Sequence, residues 1–304
     1  MSWEFKLVAG PYGSPLDGPC WDGKGLLFTQ VMMPAAAREN RILRYDPATG
    51  ETTDFRYYTH RVMGLALSST GTLYGCQSTS RRVIRFDADG SAWAMAHKIN
   101  GEYHNEPRDL IVDSKQRIWF SDPYAPLPGT RPQFASRVPY ASILRIEAPA
   151  NRDSPVQRMT FDTNAPSALT LSKDEKTLYV SENSTQPEGK RELRAYPVRA
   201  DGTLGVCSVL ASFGSDEQGI HPGIRGMCLD RDGNIVACAG GSENGPGPMI
   251  YVFSPKGRVL GTCLVPDGEP TNCAFGDADL GTLYVTTSDG RLYRGQGATA
   301  AAHR

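Results

Sequence analysis

Pro107-Arg108-Asp109-Leu110-Ile111-Val112-Asp113, followed after a short polar turn by Ile118-Trp119-Phe120-Ser121-Asp122, decides how the rest of the chain is read. Both halves are apolar runs of strand length with polar ends, and neither has the spacing of an amphipathic helix. The same unit returns five times. Pro166-Ser167-Ala168-Leu169-Thr170-Leu171-Ser172 leads to Leu178-Tyr179-Val180-Ser181-Glu182, and Ile224-Arg225-Gly226-Met227-Cys228-Leu229-Asp230 leads to Ile235-Val236-Ala237-Cys238. Pro270-Thr271-Asn272-Cys273-Ala274-Phe275-Gly276 precedes Leu283-Tyr284-Val285-Thr286, and Val62-Met63-Gly64-Leu65-Ala66-Leu67-Ser68 precedes Leu73-Tyr74-Gly75. Gly18-Pro19-Cys20-Trp21-Asp22, before Leu26-Leu27-Phe28, completes the set. Asp-Gly and Thr-Gly turns at positions 22, 49, 70, 89, 201, 232 and 289 separate the strands. Third strands are legible as well, at Ile42-Leu43-Arg44-Tyr45, Val83-Ile84-Arg85-Phe86, Ile143-Leu144-Arg145-Ile146 and Ile250-Tyr251-Val252-Phe253.

Taking Asp17, Met63, Arg108, Ser167, Arg225 and Thr271 as anchors, successive units are 46, 45, 59, 58 and 46 residues apart. That is the length of a four-stranded antiparallel blade with its turns, so the sequence predicts an all-β, six-bladed propeller, with residues 1–304 in one domain. The 16 residues before the first anchor and the 33 after the last together make one more blade. Trp3 to Val8 is therefore expected to be the outermost strand of the C-terminal blade, closing the ring and covering its sheet edge. A β-sandwich would not explain six matching anchors.

In a propeller the first strand of each blade lines the central channel, so six anchors remote in sequence converge at one mouth. The two long intervals predict extra mouth-side loops, Tyr124 to Ala141 with four prolines and Ser184 to Lys190, as lids. His60, His104 and His221 lie three or four residues before anchors and are expected in the same loops, where an imidazole moves protons near neutral pH. Most loop histidines are merely solvated, and three from separate loops have no metal-ligand spacing. Arg61 and Tyr124 are further candidates at the mouth, and Met63 supplies an apolar wall.

Composition narrows the partners. The net charge is −1 and the basic residues are scattered, which excludes a nucleic-acid or anionic-membrane footprint. The N-terminal residues read as the start of a strand rather than a leader, and no run reaches membrane-spanning length. Seven cysteines without a Cys-x-x-Cys pair, mostly inside apolar runs, fit buried small hydrophobes in a reducing cytoplasm. Oligomeric state is not legible.

Gly18-Pro19-Cys20-Trp21-Asp22-Gly23, Asn105-Glu106-Pro107-Arg108-Asp109-Leu110, Ile118-Trp119-Phe120-Ser121-Asp122-Pro123, Leu178-Tyr179-Val180-Ser181-Glu182 and Pro270-Thr271-Asn272-Cys273-Ala274-Phe275-Gly276 together resemble the gluconolactonase, SMP-30 and luciferin-regenerating family of six-bladed propellers. The resemblance covers essentially the whole chain. It implies a lactonase or related hydrolase with one divalent cation, calcium or zinc, at the channel mouth. In that family a Glu before Gly-Pro-x-Trp, Asn residues at the third and fourth anchors and an Asp at the fifth usually hold the cation. Here those positions are Asp17, Arg108, Ser167 and Arg225. Two guanidinium groups oppose a hard cation, so no metal or other cofactor is expected, with the family's single cation as the alternative.

Two arginines take over carbonyl polarisation and substrate anchoring, and favour a small anionic substrate such as a carboxylated lactone or ester. The plain alternative is that one of them pairs with Asp17 or Asp109. Asp17 is the candidate general base, with nucleophile as a second role and orientation of an arginine as the bland one. Arg108, Arg225, His104 and His221 complete the candidate catalytic set. His60, Arg61, Met63, Tyr124, Ser167, Thr271 and Asn272 are the candidate substrate contacts. Ser167 lacks a visible base and a nucleophile elbow, so a hydrogen bond is its expected role. Two readings compete with hydrolysis: a lyase, isomerase or cyclase using Asp17 to abstract a proton beside a carboxylate, and a propeller that only binds a small molecule.

Overall fold

The computed structural model describes residues 3–32, 40–124 and 137–297. They form six four-stranded antiparallel sheets and, among the described residues, no helix. Blade one holds Leu16–Trp21, Leu26–Gln30, Arg41–Tyr45 and Thr52–Arg56, and blade two Val62–Leu67, Leu73–Gln77, Arg82–Phe86 and Ala92–Ala94. Blade three holds Leu110–Val112, Ile118–Asp122, Ser142–Ile146 and Val156–Arg158, and blade four Pro166–Leu171, Thr177–Asn183, Arg191–Pro197 and Ser208–Ser212. Blade five holds Gly226–Leu229, Ile235–Ala239, Met249–Phe253 and Val259–Leu264. Blade six is Pro270–Gly276, Thr282–Thr287, Leu292–Gln296 and, from the other end of the chain, Glu4–Ala9.

The second strand of a blade is covered on both faces by its neighbours, so its residues are apolar almost without interruption. Leu26–Gln30, Leu73–Gln77, Ile118–Asp122 and Ile235–Ala239 are buried at every position. Outer strands face solvent and read as polar, for example Ser208–Ser212. Between consecutive blades the apolar side chains gather into six clusters, one at each junction of the ring among the described residues.

The ring closes as the sequence predicts, shifted by one residue: the closing strand is Glu4–Ala9, paired with Leu292–Gln296. Trp3 lies just before it and is buried against Val236, Val252, Phe275 and Val285 of blades five and six. At the channel mouth, hydroxyl and amide donors reach from one blade to carbonyls of the next. Thr29 Oγ1 donates to Met63 O at 2.9 Å, Ser121 Oγ to Ser167 O at 2.6 Å, and Thr271 Oγ1 to Leu16 O at 2.6 Å. The Gly64 amide donates to Arg108 O at 2.8 Å, and Ser167 Oγ to Arg225 O at 3.1 Å. Two small hairpins absent from the sequence reading, Lys98–Ile99 with Glu102–Tyr103 and Ser215–Asp216 with Gly219–Ile220, lead into blades three and five.

Candidate active site at the channel mouth

Four anchors, Asp17, Met63, Ser167 and Thr271, are the second residues of their inner strands, Arg225 immediately precedes its strand, and Arg108 stands two residues before Leu110–Val112. The Arg108 and Arg225 amides donate to Ser121 O and Cys238 O, which fixes both residues to the second strand of their own blade. Asp17 is buried, with Oδ1 accepting from the Gly18 amide at 2.7 Å. Among the described residues the Arg108 guanidinium has neither a hydrogen bond nor an ion pair.

Asp109, next to the third anchor, was read from the sequence only as a possible arginine partner. It is a strongly perturbed acid. Its Oδ2 accepts from the Leu169 amide of blade four at 3.4 Å, while Oδ1 lies 2.7 Å from where a Cβ on Gly64 of blade two would stand. Residue 64 therefore has to be glycine for the carboxyl to fit between these blades. Burial, and after it the negative charge of Asp17, pushes the Asp109 pKa up to about 7, against the pull of Arg108 and two backbone amides. Asp109 thus titrates near neutrality within electrostatic reach of both Asp17 and Arg108, whose guanidinium has no hydrogen bond or ion pair among the described residues.

Arg225 is paired, and with neither of the partners weighed from sequence. Its Nη2 meets Glu269 Oε2 at 2.6 Å, and both side chains are about a quarter exposed. Glu269 immediately precedes the blade-six strand, and the pair neutralises the charge that Arg225 would otherwise offer an anion. Ser167 is buried and donates to Arg225 O, a backbone hydrogen bond as its sequence suggests. Thr271 turns its hydroxyl to Leu16 O and to Thr286, so it closes the ring rather than facing the mouth. Asn272 is buried with Oδ1 on the Cys273 amide. Met63 is partly buried, and its carbonyl takes the Thr29 hydroxyl.

The histidines separate. His60 is exposed, with Arg61 partly buried beside it, and both have left-handed backbone at φ 54° and 60°. His104 has no exposed surface: Nε2 lies 3.2 Å from Ala96 O, and the ring packs edge-on to Phe120. Burial lowers its pKa to about 4, so the ring is neutral at pH 7 and donates from Nε2 to Ala96. His221 pairs with Asp216 at 2.9 Å and lines a groove of about 210 Å³ between blades four and five, with Phe213, Pro222, Pro246 and Tyr251. The structure therefore groups neither His104 nor His221 with Asp17. Tyr124 is half exposed, with the Arg137 guanidinium over its ring at 4.2 Å. Most of the expected Tyr124–Ala141 lid, residues 125–136, lies outside the described residues. The other, at Ser184–Lys190, is a closed loop in which the Ser184 amide donates to Lys190 O.

The donor set at the four family metal positions does not fit a hard divalent cation. It offers one carboxylate, already holding an amide, one hydroxyl that donates to a carbonyl, and two guanidinium groups. Among the described residues no three His, Cys, Asp or Glu side chains cluster in a way that could hold a metal ion.

Known proteins give this geometry its setting. A gluconolactonase from Zymomonas mobilis is 25% identical over 229 residues, which span 74% of this chain and 60% of that relative. A solved gluconolactonase from Xanthomonas campestris superposes with a TM-score of 0.77 at 27% identity, covering 97% of this chain and 89% of that one. A calcium-binding regucalcin from Agrobacterium tumefaciens shares the fold, with a TM-score of 0.72 at 16% identity, covering 100% of this chain and 98% of that one. The model of the SMP-30/gluconolactonase/LRE-like region matches residues 16–289, and the chain belongs to that family.

Proposed function

We propose that this protein is a lactonase-type hydrolase that opens a small carboxylated lactone or ester at the channel mouth without the family's metal. The observation that carries the reading is buried Asp109, its pKa raised to about 7, within electrostatic reach of Asp17 and of an Arg108 guanidinium that has no hydrogen bond or ion pair among the described residues. Asp17 takes the proton from a water attacking the carbonyl carbon. Arg108 stabilises the oxyanion of the tetrahedral intermediate. Asp109, protonated near neutral pH, supplies a proton to the alkoxide as the ring C–O bond breaks. The product is one hydroxy acid, and the two carboxyls regain their starting state when the proton taken up by Asp17 passes to Asp109, directly or through solvent. Similarity to the gluconolactonases supports the reaction class, and the Arg108 guanidinium, without an ion pair among the described residues, supports the anionic substrate.

The test is turnover of a carboxylated sugar lactone by chelator-treated protein, compared with Asp17→Asn and Arg108→Ala. Retained activity after chelation, with kcat lowered about 100-fold or more in each variant, is expected. Activity abolished by chelation and restored by calcium would give the site back to a cation. An isomer of unchanged mass, in place of the ring-opened acid, would make the enzyme an isomerase using the same carboxyl pair.

A further inference from the structure

We propose that Cys228 and Cys273 are a peroxide-reactive pair that forms a disulfide across the junction of blades five and six. All seven cysteines are free thiols in the structure. Cys228 and Cys273 stand on adjacent inner strands with their Sγ atoms 3.6 Å apart. Two residues before Cys228, Gly226 has no Cβ, and one there would collide with Asn272 beside Cys273. That glycine is what lets the two strands, and hence the two thiols, come so close.

This junction differs from the others around the mouth. Elsewhere hydroxyl or amide donors reach carbonyls of the next blade. Between the inner strands of blades five and six, the side-chain hydrogen bond among the described residues runs through sulfur, and the Cys273 thiol also donates to Val236 O of the second blade-five strand at 3.5 Å. Hydrogen bonds from Cys228 and then Cys238 lower the Cys273 pKa despite its burial, which favours the nucleophilic thiolate. Cys228 is only partly buried, whereas Cys238 is fully buried. The thiols are not part of the proposed hydrolysis.

In the first step the Cys273 thiolate attacks one peroxide oxygen and the O–O bond breaks. A sulfenic acid forms and hydroxide leaves, to be protonated to water. In the second step the Cys228 sulfur, giving up its proton, attacks the sulfenic sulfur. The S–S bond forms, the S–O bond breaks, and the departing hydroxide takes that proton as a second water. Two thiols and one hydrogen peroxide give one disulfide and two waters, the sulfurs losing two electrons to the peroxide.

The experiment treats the reduced, folded, full-length chain with stoichiometric hydrogen peroxide, alkylates the remaining thiols and maps the non-reduced digest by mass spectrometry. Expected are a loss of two free thiols, recovery with dithiothreitol, and a peptide linking Cys228 to Cys273. In Cys228→Ser the second step is blocked, so dimedone is expected to trap a sulfenic acid at Cys273. No thiol loss, a link through Cys238 or between chains, or dithiothreitol-resistant oxidation of Cys273 in the native sequence would overturn the proposal. The map of the native sequence decides the matter even if the serine variant does not fold.

Discussion

Asp109 shows how a residue's place in the ring sets its chemistry. Its pKa rises from the ordinary 3.8 to about 7, so the folded state holds a proton that the unfolded chain releases. The stability this contributes is complete below about pH 4 and is lost as pH rises through about 7. Buried Asp122, with Oδ1 unpartnered, is raised to about 7 chiefly by burial and acts in the same direction. His104 acts oppositely, because its lowered pKa makes the unfolded chain the stronger proton binder as pH falls below about 6.5. Asp109→Asn removes the charge and keeps the shape. It is expected to gain on the order of 2 kcal/mol relative to the parent protein at pH 8 while showing little gain at pH 4, read from urea midpoints. The same variant loses its proton donor, so kcat should fall at least tenfold; unchanged kcat would remove Asp109 from the mechanism. Glu269 allows a second test on single residues. Glu269→Gln releases Arg225 and is expected to lower KM several-fold for a carboxylated lactone but not for its neutral methyl ester. An equal effect on both substrates would deny Arg225 an electrostatic role.

At the scale of the strand, the junction hydrogen bonds can be tested by Thr271→Val, which keeps side-chain volume but removes the donor to Leu16 O and the contact with Thr286. A loss of about 1–2 kcal/mol, seen as a Tm lower by a few degrees, is expected, since Leu16 O is left without this donor. The same scale explains what the sequence made legible. Second strands such as Ile118–Asp122 are buried at every position and announce themselves as short apolar runs with polar ends, and the anchors follow from their spacing. Outer strands such as Ser208–Ser212 carry little apolar signal because one face meets water. The partners inside the site were hidden for a different reason. Arg225 and Glu269 are 44 residues apart, and Asp109 is buried by Gly64 and Leu169 from two other blades, so both arrangements exist only once the ring has closed. Proximity to an anchor placed His104 and His221 near the mouth in sequence, but it carried no information on depth. Burial under Phe120 and pairing with Asp216 decide that.

Closure is a property of the whole molecule, because the first and last described strands share one sheet. Glu4–Ala9 lies against Leu292–Gln296 and covers an edge that would otherwise be free to pair with another chain. Glu4, Lys6 and Leu7 of this strand are exposed, Leu7 at 42%, while Phe5, Val8 and Ala9 are partly buried against the clusters on either side of blade six. Trp3 adds the most deeply buried contact of this segment. Only 5% exposed, it lies among residues of both blade five and blade six, and its carbonyl accepts from the Cys263 thiol of the blade-five outer strand. One side chain thus links the closing strand to the blade beyond its own. Trp3→Ala leaves a large cavity at this junction and is expected to cost about 3–5 kcal/mol. Leu7→Ala on the same stretch should stay within about 0.5 kcal/mol. If ring closure rests on Trp3, Trp3→Ala will also speed hydrogen exchange selectively in Glu4–Ala9 and Leu292–Gln296, leaving blades two and three protected. Uniform loss of protection around the ring would mean that the six blades open together and that the closing strand is no weaker than the rest.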